Sequence, residues 1–112
     1  MAPSEELASR LRRALADRGG VTEKRMFGGV CFMLRDHMLC GTGKPGFMFR
    51  IGTDQEAGAL KRPGAKPMVF NGRRMRGFVW VDPARCSERD LEEWVLLAER
   101  YVAALPAKKK AR

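Results

Sequence analysis

The sequence predicts an α+β domain: an antiparallel sheet of about five to six strands, N- and C-terminal helices packed on one of its faces, and a short helix in the middle. Three observations carry this. Apolar residues recur at helical spacing near both ends, as Leu7, Ala8, Leu11, Ala14 and Leu15, and again as Leu91, Trp94, Val95, Ala98, Tyr101, Val102 and Leu105. Between them the apolar period falls to two, in short runs rich in Val, Phe, Met and Cys broken by glycine or polar turns. Asn71-Gly72, the residue pair best suited to a type I′ turn, joins the last two such runs into a hairpin.

The elements follow in chain order. Ser4 is suited to cap the first helix, Glu5 and Glu6 match the positive end of its dipole, and Gly19 stops it, which predicts a helix over 4–18. Strands are expected near 24–28, 30–35, 38–42 and 47–51, with Asp36-His37 as one tight loop and Gly43 to Gly46 as the next. Thr53 or Asp54 caps a short helix that ends at Arg62, Pro63 and Gly64. The hairpin runs from Met68 to Phe70 and from Arg73 to Asp82. Ser87 then caps the last helix, with Asp90 three residues on as a variant of the capping box, and Pro106 closes it. One domain is expected over 1–106, with 107–112 as a disordered basic tail and no second domain within these 112 residues.

Composition narrows the function. Hydrophobic residues make up 45% of the chain and are spread along it, which is a globular composition. No stretch approaches the ~20 apolar residues a membrane span needs, and no basic segment precedes an apolar run at the N-terminus. A cytoplasmic protein without membrane contact is expected. Three cysteines, Cys31, Cys40 and Cys86, with the single histidine His37, form no metal-ligand spacing, so neither a metal nor another cofactor is expected. The net charge of +9 favours anionic partners, although four of those nine charges lie in the tail at Lys108, Lys109, Lys110 and Arg112.

Candidate sites follow from strand alternation. With Asp36-His37 as a two-residue loop, Val30, Phe32, Leu34 and Leu39 share one face of the hairpin, and Cys31, Met33, Arg35, Met38 and Cys40 share the other. Cys31 and Cys40 are then diagonal neighbours ~7–8 Å apart, too far for a disulfide. Met48 and Arg50 extend this second face on the next strand. It is Met-rich, with interspersed arginines, and reads equally as an adaptable partner-binding surface or as a second core layer. Arg73, Arg74 and Arg76 flank the Asn71-Gly72 turn, and alternation places Arg74, Arg76, Phe78 and Trp80 together. With Lys108, Lys109 and Lys110 they are the candidate nucleic-acid contacts, the competing reading being a hairpin tip with its aromatics buried. No base stands beside Cys31 or Cys40, and His37 reads as a turn residue, so no catalytic residue is assigned.

The run Arg25, Met26, Phe27, Gly28, Gly29, Val30, followed by Met38, Leu39 and Cys40, resembles the opening motif of the TfoX N-terminal domain family. The run from Pro67 to Val81 and the helix containing Trp94 agree with the same family in the same order. The resemblance covers the chain from its first helix to Leu105. It implies a sheet flanked by helices in a bacterial protein related to regulators of natural competence, which act on transcription with a partner protein. It brings no catalytic residues. The resulting expectation is a non-enzymatic regulatory domain that binds a protein partner or a second copy of itself; the alternative is a basic nucleic-acid-binding module.

Overall fold

The computed structural model describes residues 3–26 and 28–106. In order they form α1 (Pro3–Ala14), β1 (Val21–Met26), β2 (Gly29–Leu34), β3 (His37–Gly43), β4 (Gly46–Arg50), α2 (Thr53–Ala59), β5 (Ala65–Phe70), β6 (Arg73–Val81), a 3-10 turn at Pro83–Arg85, and α3 (Glu88–Ala103). The strands make one antiparallel sheet in the order β1-β2-β3-β4-β6-β5. The expected α+β architecture is therefore the observed one.

Most shifts from the expected boundaries have visible causes. α1 begins at Pro3, so Ser4 lies within its first turn, and after Ala14 the chain tightens into turns closed by Ala16 N to Arg13 O and Arg18 N to Leu15 O. β1 begins at Val21 because it pairs with β2 along its whole length, from Val21 opposite Leu34 to Met26 opposite Gly29. The cap of α2 is Gly52 (φ 88°), with no side chain capping it. Only a glycine fits there, since a Cβ would stand 2.5 Å from the Tyr101 ring. α3 keeps its expected capping box: Ser87 Oγ accepts from Asp90 N, and Asp90 Oδ2 accepts from Ser87 N, both at 3.1 Å.

The main core lies between the helices and one face of the sheet. Leu11, Leu91 and Val95 meet Phe32, Leu39, Phe47, Phe49, Val79 and Val81, all at most 1% exposed. Burial of each large side chain is worth roughly 1.5–3 kcal/mol. Trp94 stacks on Phe49 with ring centroids 5.4 Å apart and planes 14° apart, so α3 roofs the sheet as its apolar stripe requires. Arg10 ties the two long helices together, donating to Cys86 O at 2.6 Å and to Glu88 at 3.0 Å, and Arg18 pairs with Glu99 at 2.8 Å.

Candidate functional site

The Met-rich face is a second core layer. Cys31, Met33, Met48 and Met68 are at most 7% exposed and pack together, with Met26, Met38, Met75, Phe78 and Trp80 half-buried around them. The expectation of an exposed partner-binding face at Cys31, Met33 and Met48 is corrected by this burial: the chain covers the face itself. Met68, on the edge strand β5, belongs to the same cluster as Met48, with Phe78 and Trp80 of the intervening β6 packed against it. Glycine assists on β3, where a Cβ at Gly43 would stand 2.7 Å from the Trp80 ring.

Cys40 is corrected as well. The turn between β2 and β3 falls at Arg35-Asp36, both with positive φ (51° and 69°), so Leu34 faces His37 and Met33 faces Met38. A bulge then adds Leu39, giving Phe32 opposite Cys40 and Cys31 opposite Gly41. One slipped residue exchanges faces, and both Leu39 and Cys40 enter the helix-covered core. Cys31 and Cys40 thus lie in different layers and remain free thiols. Desolvation pushes the thiols of Cys31 and Cys86 up to about 11 and that of Cys40 higher still, so none is a thiolate near neutrality. Arg50 does not point into open solvent: its guanidinium lies 5.5 Å from the Phe78 ring centre and 5.7 Å from that of Tyr101.

The arginine hairpin keeps its turn and loses its alternation. Asn71 and Gly72 have φ of 54° and 74°, and Phe70 faces Arg73. Beyond Val69 opposite Arg74 the next pair is Pro67 opposite Val79, so four residues of β6, Met75 to Phe78, lie against Met68 alone. Gly77, with φ of 83°, turns this bulge. Met75, Phe78 and Trp80 accordingly join the methionine layer, while Arg74 and Arg76 converge on Glu56 of α2. The candidate cation-and-aromatic groove of Arg74, Arg76, Phe78 and Trp80 is not formed; the hairpin follows the competing reading, with its aromatics drawn into the methionine layer.

Glu56 organises this junction. It is 3% exposed and accepts from Arg74 Nη2 at 2.7 Å, from Arg76 Nε at 3.4 Å and from the Gly77 amide at 2.9 Å. Desolvation raises the pKa of its carboxyl, but the Gly77 amide and the two guanidiniums outweigh it and hold the group below the ordinary glutamate range. Gly77 O in turn accepts from Ile51 N at 2.8 Å and Gly52 N at 3.1 Å, fastening the bulge to the start of α2. Sequence reasoning missed Glu56. A signal was present: it stands three and four residues before Ala59 and Leu60, on the inward face of its helix, where a carboxylate requires a partner.

The remaining candidates are structural. Arg25 pairs with Glu5 at 3.4 Å on the surface, and Met26 packs against the methionine layer. A Cβ at Gly29 would lie 1.9 Å from Thr42 O, while the Val30 amide donates to Thr42 Oγ1 at 3.0 Å. Gly29 thus permits close packing of β2 on β3. Phe27, Lys108, Lys109 and Lys110 lie outside the described residues, as does the proposed tail 107–112. His37 stands 2.8 Å from Pro106 O; a carbonyl only accepts, so Nε2 carries the proton. An open cavity of about 490 Å³ lies between Ile51, Gly52 and Thr53 at the start of α2 and Arg100, Tyr101 and Leu105 near the chain's end. Among the described residues, no three His, Cys, Asp or Glu side chains gather as metal ligands, and no helix is long and apolar enough to cross a membrane.

Exposed apolar surface is concentrated near the hairpin. Val69 is 55% exposed and Phe70 36%, adjacent on β5 and opposite Arg74 and Arg73; Leu96, at 46%, stands apart on α3. The outer parts of Arg74 and Arg76 remain accessible, with side chains 49% and 69% exposed.

No curated protein and no solved structure matches the chain. The sequence profile of the TfoX N-terminal domain matches residues 13–101.

Proposed function

The chain belongs to the TfoX N-terminal domain family, and from that premise we propose that it is a non-enzymatic regulatory domain of the bacterial cytoplasm, acting through protein contacts in the control of competence or transcription. One observation supports protein contact over the other readings. The only exposed neighbouring pair of large apolar residues among the described ones, Val69 and Phe70, lies beside three arginines, two of which already share a buried carboxylate. An apolar patch rimmed with charge is the composition of a protein-binding surface. The groups that could have carried chemistry have structural employment instead: the cysteines are buried and protonated, Glu56 anchors β6, and His37 bonds to Pro106.

The nucleic-acid reading draws on Arg73, Arg74, Arg76 and the lysine tail. Glu56 weakens it by cancelling one of the three hairpin charges and engaging two of the guanidiniums. A salt titration with a duplex DNA and a single-stranded RNA separates the two readings. Contact with about five phosphates gives a slope of log affinity against log salt of about −4 to −5. The expected result is no saturable binding at near-physiological salt, together with nuclease-resistant capture of a protein by the full chain that Val69→Glu abolishes. A steep salt slope with no such capture replaces the proposal by the nucleic-acid module.

A further inference from the structure

We propose that β5 is a docking edge, and that its occupant is an extended, acidic segment of a partner protein which adds to the sheet as a seventh strand. This rests on the protein-contact reading and names its site and its chemistry.

The two edges of the sheet are built differently. A terminal strand offers main-chain donors and acceptors to any extended chain, and proteins blunt such edges with charge, proline or bulges. β1 is blunted throughout: Thr22, Glu23, Lys24 and Arg25 are exposed, Glu23 accepts from Arg12 at 2.6 and 2.9 Å, and Arg25 reaches Glu5. β5 is blunted at its start by the exposed Lys66 and Pro67. Its second half carries no charge, and Val69 there is the most exposed large hydrophobic residue among those described. Among the described residues, β5 has β6 on one side and no strand on the other. Added strands draw affinity from main-chain bonds and selectivity from side chains on alternate faces. Here the buried Met68 occupies one face and Val69 the other, so a guest meets an apolar contact at Val69.

Charge selects the occupant. Arg73 and Arg74 stand directly across from Phe70 and Val69, Arg76 follows, and Lys66 guards the far end. Glu56, which pairs with Arg74 and Arg76, cancels one of these four charges, so an acidic guest still meets a net positive rim, which favours encounter and orientation. A second copy of this chain carries the same net positive rim and offers it no opposite charge at this edge. Pro67 offers no amide hydrogen, which confines the guest to the Met68 to Phe70 end.

The test uses the full chain, isotope-labelled, and a capped heptapeptide of alternating valine and glutamate. The control peptides replace glutamate by lysine, or valine by serine. The expected result is saturable binding of the valine-glutamate peptide with amide shifts and slowed hydrogen exchange at Met68, Val69 and Phe70, and none at β1. Val69→Glu leaves the fold intact, because this side chain is largely in solvent, and weakens that binding at least tenfold. Arg12→Ala, at the other edge, changes it less than twofold. Equal binding of the valine-lysine peptide, shifts centred on β1, or no response along β5 overturns the proposal. So does a concentration-dependent dimer that Val69→Glu dissolves, which assigns the edge to a second copy, or a DNA duplex shifting these amides when the peptide does not. If the peptide fails to bind while nuclease-resistant protein capture persists and is abolished by Val69→Glu, the edge proposal falls and the interaction reading stands.

Discussion

The two faces of this sheet are both buried, by different means. On one, whole helices cover the strands, and the side chains beneath are rigid: Phe47, Phe49, Val79 and Val81 are inaccessible, with Trp94 stacked on Phe49. On the other, half-buried Met26, Met38, Met75, Phe78 and Trp80, all from strands, surround Cys31, Met33, Met48 and Met68. A helix presents a fixed apolar stripe, so the strands below it need matching shapes. A face closed by side chains from several strands leaves irregular gaps, and an unbranched thioether with three rotatable bonds fills those best. Methionine concentrates where the cover is improvised.

The largest effect that sharpens this contrast is expected at the rigid layer. Phe49→Ala removes a fully buried ring and its stacking on Trp94, and loss of about 3–5 kcal/mol follows from such truncations, read as a lowered denaturant midpoint. A loss below about 1 kcal/mol there means the helix-covered layer is no better packed than the other.

Glu56→Gln comes next, because it loosens the fastening that brings β6 over the methionine layer. Hydrogen bonds to charged groups contribute about 1.5–3 kcal/mol, and a loss in that range is expected at neutral pH. The Trp80 emission, read in a Trp94→Phe background, then shifts more than the Trp94 emission read in Trp80→Phe. The pH dependence has a definite sign. The folded-state pKa of Glu56 is depressed, so its contribution is complete above the unfolded value of about 4.3 and is lost as pH falls through the lower folded value. The variant's stability is therefore flatter below about pH 4 than that of the parent chain.

Met48→Leu tests how adaptable the second layer is. Volume-conserving exchange in a core costs under about 1.5 kcal/mol, and a layer of flexible side chains is expected near the bottom of that range despite 1% exposure. A cost matching that of Phe49→Ala would erase the distinction between the faces. Smallest is Arg12→Ala. The Arg12–Glu23 pair is short, and the hydrogen bond from Arg12 holds the Glu23 carboxyl low, but both side chains are over 40% exposed. Such pairs contribute about 0–1 kcal/mol, and added salt is expected to diminish even that.

Much of this was legible beforehand, and for local reasons. Asn71-Gly72 declared its turn, Ser87 and Asp90 their capping box, and the stripe from Leu91 to Val102 the helix that roofs the core. The failures share a cause. Arg35-Asp36 took the turn from Asp36-His37, and Leu39 made a bulge, which carried Cys40 to the other side. Four residues of β6 bulged at Gly77, which parted Arg74 and Arg76 from Phe78 and Trp80. Alternation predicts faces only while the register is unbroken, and a bulge is decided by what the strands pack against.

By itself, then, the sequence determined the elements, their type and their order, because period, caps and turn residues act within a few neighbours along the chain. Tertiary structure alone decided which side chains were left outside. It placed Met68 of β5 among the methionines, set the buried Glu56 against Arg74 and Arg76, and left Val69 exposed on an edge strand. Those outcomes depend on contacts between residues far apart in the chain, whose energies no local pattern contains.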